Sequence, residues 1–128
     1  MVTAVVELAA GLALLVLPGA VIGWVFGGAP AGSEALLLAR WLGVALVVIG
    51  VASGLARDDP GGLARRGVLI AVVLYDVAVA LLFVGAAIVA RLAGPLLWPA
   101  VGLHTILAVW GLVCLAPGAR AGGMHGGA

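Results

Sequence analysis

"VLIAVVLYDVAVALLFVGAAIVA", residues 68–90, decides the fold of this chain. Apart from Tyr75 and Asp76 the stretch is apolar throughout, and at 1.5 Å per residue a helix of this length crosses a bilayer core of about 30 Å. A carboxylate within such a segment costs about 2.5–3.5 kcal/mol on insertion scales. Asp76 therefore indicates either a function or a structural partner inside the membrane.

The composition of the whole chain agrees with this stretch. Hydrophobic residues make up 66% and charged residues 9% of the 128 residues, whereas roughly a quarter of a soluble domain is charged. The net charge of +1, without a basic cluster, excludes a nucleic-acid partner. The single cysteine, Cys114, excludes an intrachain disulfide and a CxxC redox pair. We therefore expect an integral membrane protein whose partner is the lipid bilayer.

Three more apolar segments resemble the first in length. The predicted spans are 4–26, 35–56, 67–90 and 95–116, and the links between them are short and rich in Gly and Pro. Short links make sequential helices antiparallel, so the sequence predicts an all-α, up-down four-helix transmembrane bundle. Residues 1–117 form its single domain, and residues 118–128 are expected to be a flexible tail.

Pro18 lies within the first span, directly before Gly19. Proline removes a backbone donor and crowds the preceding turn, so we expect the first helix to bend in its second half.

Arginine placement predicts the orientation. Arg57, Arg65, Arg66 and Arg120 lie on the side of the middle loop and the C-terminal tail, whereas Arg40 and Arg91 lie on the other side. The positive-inside rule then puts both termini in the cytoplasm. The absence of Lys, with abundant Ala, Gly and Arg, is typical of high-G+C bacterial genomes, so we expect a multi-pass protein of the bacterial inner membrane. The four-to-two arginine ratio leaves dual topology open.

Polar residues at mid-depth form the first candidate site. Asp76 and His104 should each lie about 13 Å from the membrane surface at which their helix enters, and Arg40 about 8 Å, from where its long side chain can turn inward. With Tyr75 beside Asp76, this gives a candidate polar pocket of Arg40, Tyr75, Asp76 and His104. Tyr75 and Asp76 lie on different faces of their helix, so only one of them can point at the bundle axis.

Small residues support close packing around these positions. Arg40 shares a stripe with Gly43, Gly50 and Gly54, and His104 lies between two alanines. Glu7 shares its face with Ala4, Ala10, Gly11 and Pro18, but lies only about one turn from the predicted cytoplasmic end. We therefore expect a second, inner layer of Glu7, Ser53 and Arg57.

Each polar residue also has a purely structural interpretation. Arg40 beside Trp41 can anchor the helix at the interface, Glu7 can be solvated, and Asp76 can simply pair with Arg40 or His104. His104 is expected to hydrogen-bond between helices. A bis-His haem needs a second intramembrane histidine, which the chain lacks, and no metal motif is present. We therefore expect neither a metal nor another cofactor.

Four motifs carry a resemblance to a known group. "LLVLPGAVIGWVFGGAP" (14–30), "LLLARWLGVALVVIG" (36–50), "LYDVAVALL" (74–82) and "LLWPAVGLHTILAVWGL" (96–112) resemble a widespread group of small four-helix bacterial membrane proteins without an assigned activity. The resemblance implies a four-helix fold and no reaction. It also implies signature positions at Arg40, Gly43, Tyr75, Asp76 and His104, where an Asn after the Tyr is the more usual form.

Three classes of function remain. The first is a non-catalytic accessory or small-lipophile-binding bundle, whose polar residues line a pocket or lock the helices together. The second is a membrane enzyme acting on a lipid or isoprenoid-like substrate, with Asp76 or His104 as general acid or base. The third is a proton-coupled carrier working as a homodimer, because four short helices alone seldom enclose a pathway.

Overall fold

The computed structural model describes residues 2–28, 31–59 and 62–116. Across these ranges the chain is all-α, with no strand. The helices are α1 (Val2–Val16), α2 (Pro18–Phe26), α3 (Ser33–Leu55), α4 (Leu63–Ile88) and α5 (Leu97–Leu115), and a 3₁₀ turn at Ala56–Asp58 extends α3. The predicted flexible tail, 118–128, lies outside the described residues.

Three helices are long and apolar enough to cross a membrane. They are α3 with its 3₁₀ extension, α4 and α5, which correspond to the predicted spans 35–56, 67–90 and 95–116. The predicted first span, 4–26, is not one helix. It consists of two helices, α1 and α2, and the chain bends by 112° between them. The all-α class is confirmed, but the described residues give three clear spans, and a fourth only if this bent pair counts as one span.

Pro18 explains where the first span breaks. It is the first residue of α2, a position that suits its fixed φ, and its missing N–H leaves the carbonyl of Leu14 without a helical donor. The predicted bend at Pro18 is thus confirmed, but it is far larger than an ordinary proline kink.

The far end of α2 is held by the link between α4 and α5. The backbone N–H of Ala93 donates to the carbonyl of Phe26 (3.1 Å), and that of Leu96 donates to the carbonyl of Trp24 (2.8 Å). A Cβ atom on Gly94 would overlap the Trp24 carbonyl, so only glycine allows this approach. These contacts hold α2 at one end of the molecule. The α3–α4 link lies at the other end.

Glycines bring α1 and α3 into backbone contact. A Cβ atom on Gly11 would lie 2.7 Å from the Gly43 carbonyl oxygen, and one on Gly43 would lie 2.8 Å from the Gly11 carbonyl oxygen. Gly50 lies two helical turns beyond Gly43 on the same stripe of α3, and it contacts Ala4 and Leu8 of α1. Membrane helices pack in this way because small residues maximise van der Waals contact where no hydrophobic driving force exists.

The other helix pair is α4 with α5. Gly111 of α5 lies against the side chain of Val73, which is buried together with Val72 and Leu107. The fold is therefore two close helical pairs, α1 with α3 and α4 with α5. The polar residues described next lie where these pairs meet.

Candidate functional site

A short hydrogen bond joins α4 to α5. Nδ1–H of His104 donates to Oδ1 of Asp76 over 2.7 Å. The Asp76 side chain is 0% exposed, and that of His104 is 14% exposed. On α4, Asp76 is therefore the residue whose side chain points into the protein. Tyr75, on the neighbouring face of the helix, is only half-buried.

Glu7 belongs with this pair. It is 1% exposed, and its carboxyl group interacts electrostatically with both Asp76 and His104. The sequence prediction placed Glu7 in a separate layer with Ser53 and Arg57, because it lies only about one turn from the predicted start of the first span. In the structure Glu7 is the sixth of the 15 residues of α1. The packing face of α1 consists of Ala4, Glu7, Gly11 and Leu14, so Glu7 points towards the other helices.

Two carboxyl oxygens in this group lack a protein donor. Among the residues that the structure describes, nothing donates a hydrogen bond to Oε1 of Glu7 or to Oδ2 of Asp76, and both oxygens are buried. A buried acceptor without a partner loses the hydrogen bonds that water gives it in the unfolded chain. We call Glu7, Asp76 and His104 the acid–histidine cluster.

Aromatic rings border the cluster. The Tyr75 ring meets the His104 ring edge to face at a centroid distance of 5.9 Å, and Phe83 meets His104 in the same way at 6.0 Å. Phe83 in turn contacts Phe26 of α2 at 5.5 Å. Phe26 and Phe83 thus cover the side of the cluster that faces α2.

Arg40 lies apart from the cluster. Its Nε–H donates to the carbonyl of Leu15 over 3.4 Å, in the last turn of α1, where carbonyls have no helical donor. Within the described ranges no ion pair joins Arg40 to Asp76. The predicted pocket of four residues therefore contains one close pair, Asp76 and His104, with Tyr75 beside it, while Arg40 binds the end of α1.

A cleft of about 280 Å³ opens at the end of the molecule where α3 stops and α4 begins. Its polar lining consists of Thr3, Ser53, Arg57 and Arg65. Arg57 also pairs with Asp58 over 3.1 Å in an exposed ion pair. Ser53 and Arg57, two of the three residues predicted to form the inner layer, thus lie together in this cleft.

The walls of the cleft are apolar and reach towards the cluster. Val68, Leu69 and Val72 of α4 face Trp110 of α5 across it, with Ala4 and Cys114 also in the lining. Ala4 precedes Glu7 by three residues and Val72 precedes Asp76 by four, so the inner wall lies one helical turn from both carboxyl groups. The cleft and the cluster are therefore neighbours along the same faces of α1 and α4.

No group of three His, Cys, Asp or Glu side chains in the described parts of the chain has the arrangement needed to hold a metal ion. The Asp76–His104 pair can hold and exchange protons, because both groups are ionisable and hydrogen-bonded.

Sequence reasoning missed two features of this region. Arg65 counted only towards the orientation, and Trp110 was assigned to no site. A helical wheel would have placed Arg65 one turn before Leu69 and two before Val72. No such signal joins these residues to Trp110, which comes from a helix that is distant in sequence. Comparisons with protein-family models, curated proteins and solved structures give no match.

Proposed function

We propose that the protein is a non-catalytic membrane bundle that binds a small lipophile, and that the ligand is an anionic amphiphile held in the cleft. The observation that carries this proposal is the combination of arginines and apolar walls in one opening of about 280 Å³. Ligand sites are typically concave, mostly apolar and supplied with a few polar groups that fix orientation.

Charge complementarity selects the ligand class. The guanidinium groups of Arg57 and Arg65 can bind a phosphate or carboxylate head, and such charge-assisted hydrogen bonds are roughly twice as strong as neutral ones. The acyl chain would lie along Val68, Leu69 and Trp110. In the described part of the chain no carboxylate pairs with Arg65, so its charge is available to a ligand.

The setting of this proposal is the bacterial cytoplasmic membrane, with the lipid bilayer around the helices and α1 and α2 together serving as one span. Large apolar side chains are exposed on every long helix, for example Leu38, Leu81 and Ile106. The arginines at the cleft support a cytoplasmic location for this end, by the positive-inside rule. The acid–histidine cluster then serves to lock the helix pairs together.

The test compares dodecyl phosphate with dodecanol. Native mass spectrometry of the full chain in detergent should show binding of dodecyl phosphate and about tenfold weaker binding of dodecanol, which has the same chain without the charge. Arg65→Gln should reduce phosphate binding by a similar factor. Arg66→Gln, one residue away and outside the cleft, is the matched control. Equal binding of the two compounds, or equal effects of the two variants, contradicts the proposal.

A further inference from the structure

The acid–histidine cluster has an unbalanced charge if all its acids are ionised. One histidine can compensate at most one of the two carboxylate charges of Glu7 and Asp76, so at least one negative charge is left over. Glu7 is 1% exposed and its Oε1 has no donor among the described residues, and burying an uncompensated charge in a membrane protein is strongly unfavourable. A proton on Glu7 removes one of the two negative charges.

Among the residues in 2–28, 31–59 and 62–116, no arginine forms an ion pair with Glu7. Asp76 faces it from α4 and His104 from α5, and Tyr75 of α4 also interacts with it electrostatically. α3 contributes the Ser53 hydroxyl and, in the cleft lining, Arg57, whose side chain is exposed and paired with Asp58. α2 carries no ionisable side chain. Arg40 of α3 is directed at the Leu15 carbonyl.

The surroundings of the cluster differ on its two sides. Towards the cleft, Ala4 and Val72 line the opening, and each lies about one helical turn from a carboxyl group of the cluster. In the other direction, the rings of Phe83 and Phe26 pack edge to face, and Phe83 also packs against His104. Phe83 lies about 10 Å beyond Asp76 along α4. A proton can therefore approach along the cleft, whereas aromatic side chains block the opposite side.

We propose that Glu7, Asp76 and His104 form a proton-binding site in which Glu7 carries the exchangeable proton, and that this proton exchanges with water only through the cleft. The proton moves between a carboxyl oxygen of Glu7 and water, so no bond other than O–H forms or breaks. This site is independent of the amphiphile proposal, because it needs the cleft as a route for water and not as a place for a lipid.

Infrared spectroscopy of the full chain in lipid nanodiscs tests the proton. Ordinary carboxylates are ionised at neutral pH, so a C=O stretching band of a protonated carboxylic acid at pH 7 is diagnostic. The band should be present in the wild type, absent in Glu7→Gln and retained in Glu34→Gln, which changes an exposed acid. Absence of the band from the wild type, or its survival in Glu7→Gln, overturns the proposal.

Blocking the cleft tests the route without changing the cluster. Cys114 is exposed and lines the cleft, so a bulky maleimide attached there should slow the deuterium shift of the band by about tenfold or more. The matched control carries Cys114→Ala and Val89→Cys, which moves the same label to the opposite end. Equal exchange with both labels, or slower exchange only with the label at 89, contradicts exchange through the cleft.

Discussion

His104 and Asp76, from neighbouring antiparallel helices, meet through a hydrogen bond of 2.7 Å around a carboxyl group that is fully buried. Interhelical hydrogen bonds in membrane proteins contribute about 0.6–2 kcal/mol. A double-mutant cycle of Asp76→Ala and His104→Ala should therefore give a coupling energy in this range, measured by unfolding the detergent-solubilised protein with SDS. A coupling energy near zero would contradict the contact.

Substitution of Arg40 tests whether this residue belongs to the acid–histidine cluster. Its hydrogen bond to the Leu15 carbonyl is long and partly solvated, so Arg40→Gln should lower the free energy of unfolding by about 1 kcal/mol or less. The Asp76–His104 coupling energy should be unchanged in an Arg40→Gln background, because distant sites are additive. A coupling energy that falls by half or more would place Arg40 in the cluster after all.

The glycine contact between α1 and α3 predicts a sharp difference between two substitutions in α3. Gly43→Ala puts a Cβ atom 2.8 Å from the Gly11 carbonyl oxygen, and overpacking of this kind costs about 1–3 kcal/mol. Gly54→Ala meets nothing within 4 Å and should stabilise the helix by up to about 1 kcal/mol. SDS unfolding midpoints measure both. Similar shifts in the same direction would exclude a close helix contact at Gly43.

Cys114 can report the orientation because it lies at the cleft end of α5. A membrane-impermeant maleimide should label it in inside-out vesicles and not in intact cells. A Cys114→Ala, Val89→Cys variant should show the opposite pattern. Labelling of Cys114 from outside intact cells would invert the predicted orientation, and labelling of Cys114 from both sides would indicate dual topology.

Span length and Pro18 predicted much of the fold. Three apolar segments were long enough to cross as helices, and Pro18 marked the break in the fourth. The size of that bend could not be predicted, because it depends on the hydrogen bonds from Ala93 and Leu96 to α2. Proline determines where a helix breaks, and the tertiary contacts of the segment after the break determine the direction of that segment.

Depth along the helix explains what could be predicted of the cluster. Asp76 and His104 lie in continuous helices, so counting residues from the membrane surface brought them to the same level. The same count put Glu7 near the membrane surface, about one turn from the predicted start of its span, although its side chain is buried on the packing face of α1. The face of Glu7, shared with Ala4 and Gly11, was the better guide, because small residues mark the side on which membrane helices pack.

The bend at Pro18 also bears on the order in which the helices can reach their final positions during synthesis. Residues 2–26 leave the ribosome before the other described helices, as an apolar segment long enough to insert alone. The groups that hold α2 in place belong to Ala93 and Leu96, which are made about 70 residues later, or several seconds at usual elongation rates. Until then, Trp24 and Phe26 have no partner for their carbonyls outside the helix. The segment of α1 and α2 therefore enters the membrane before the other described helices, yet it is among the last of them to reach its final shape.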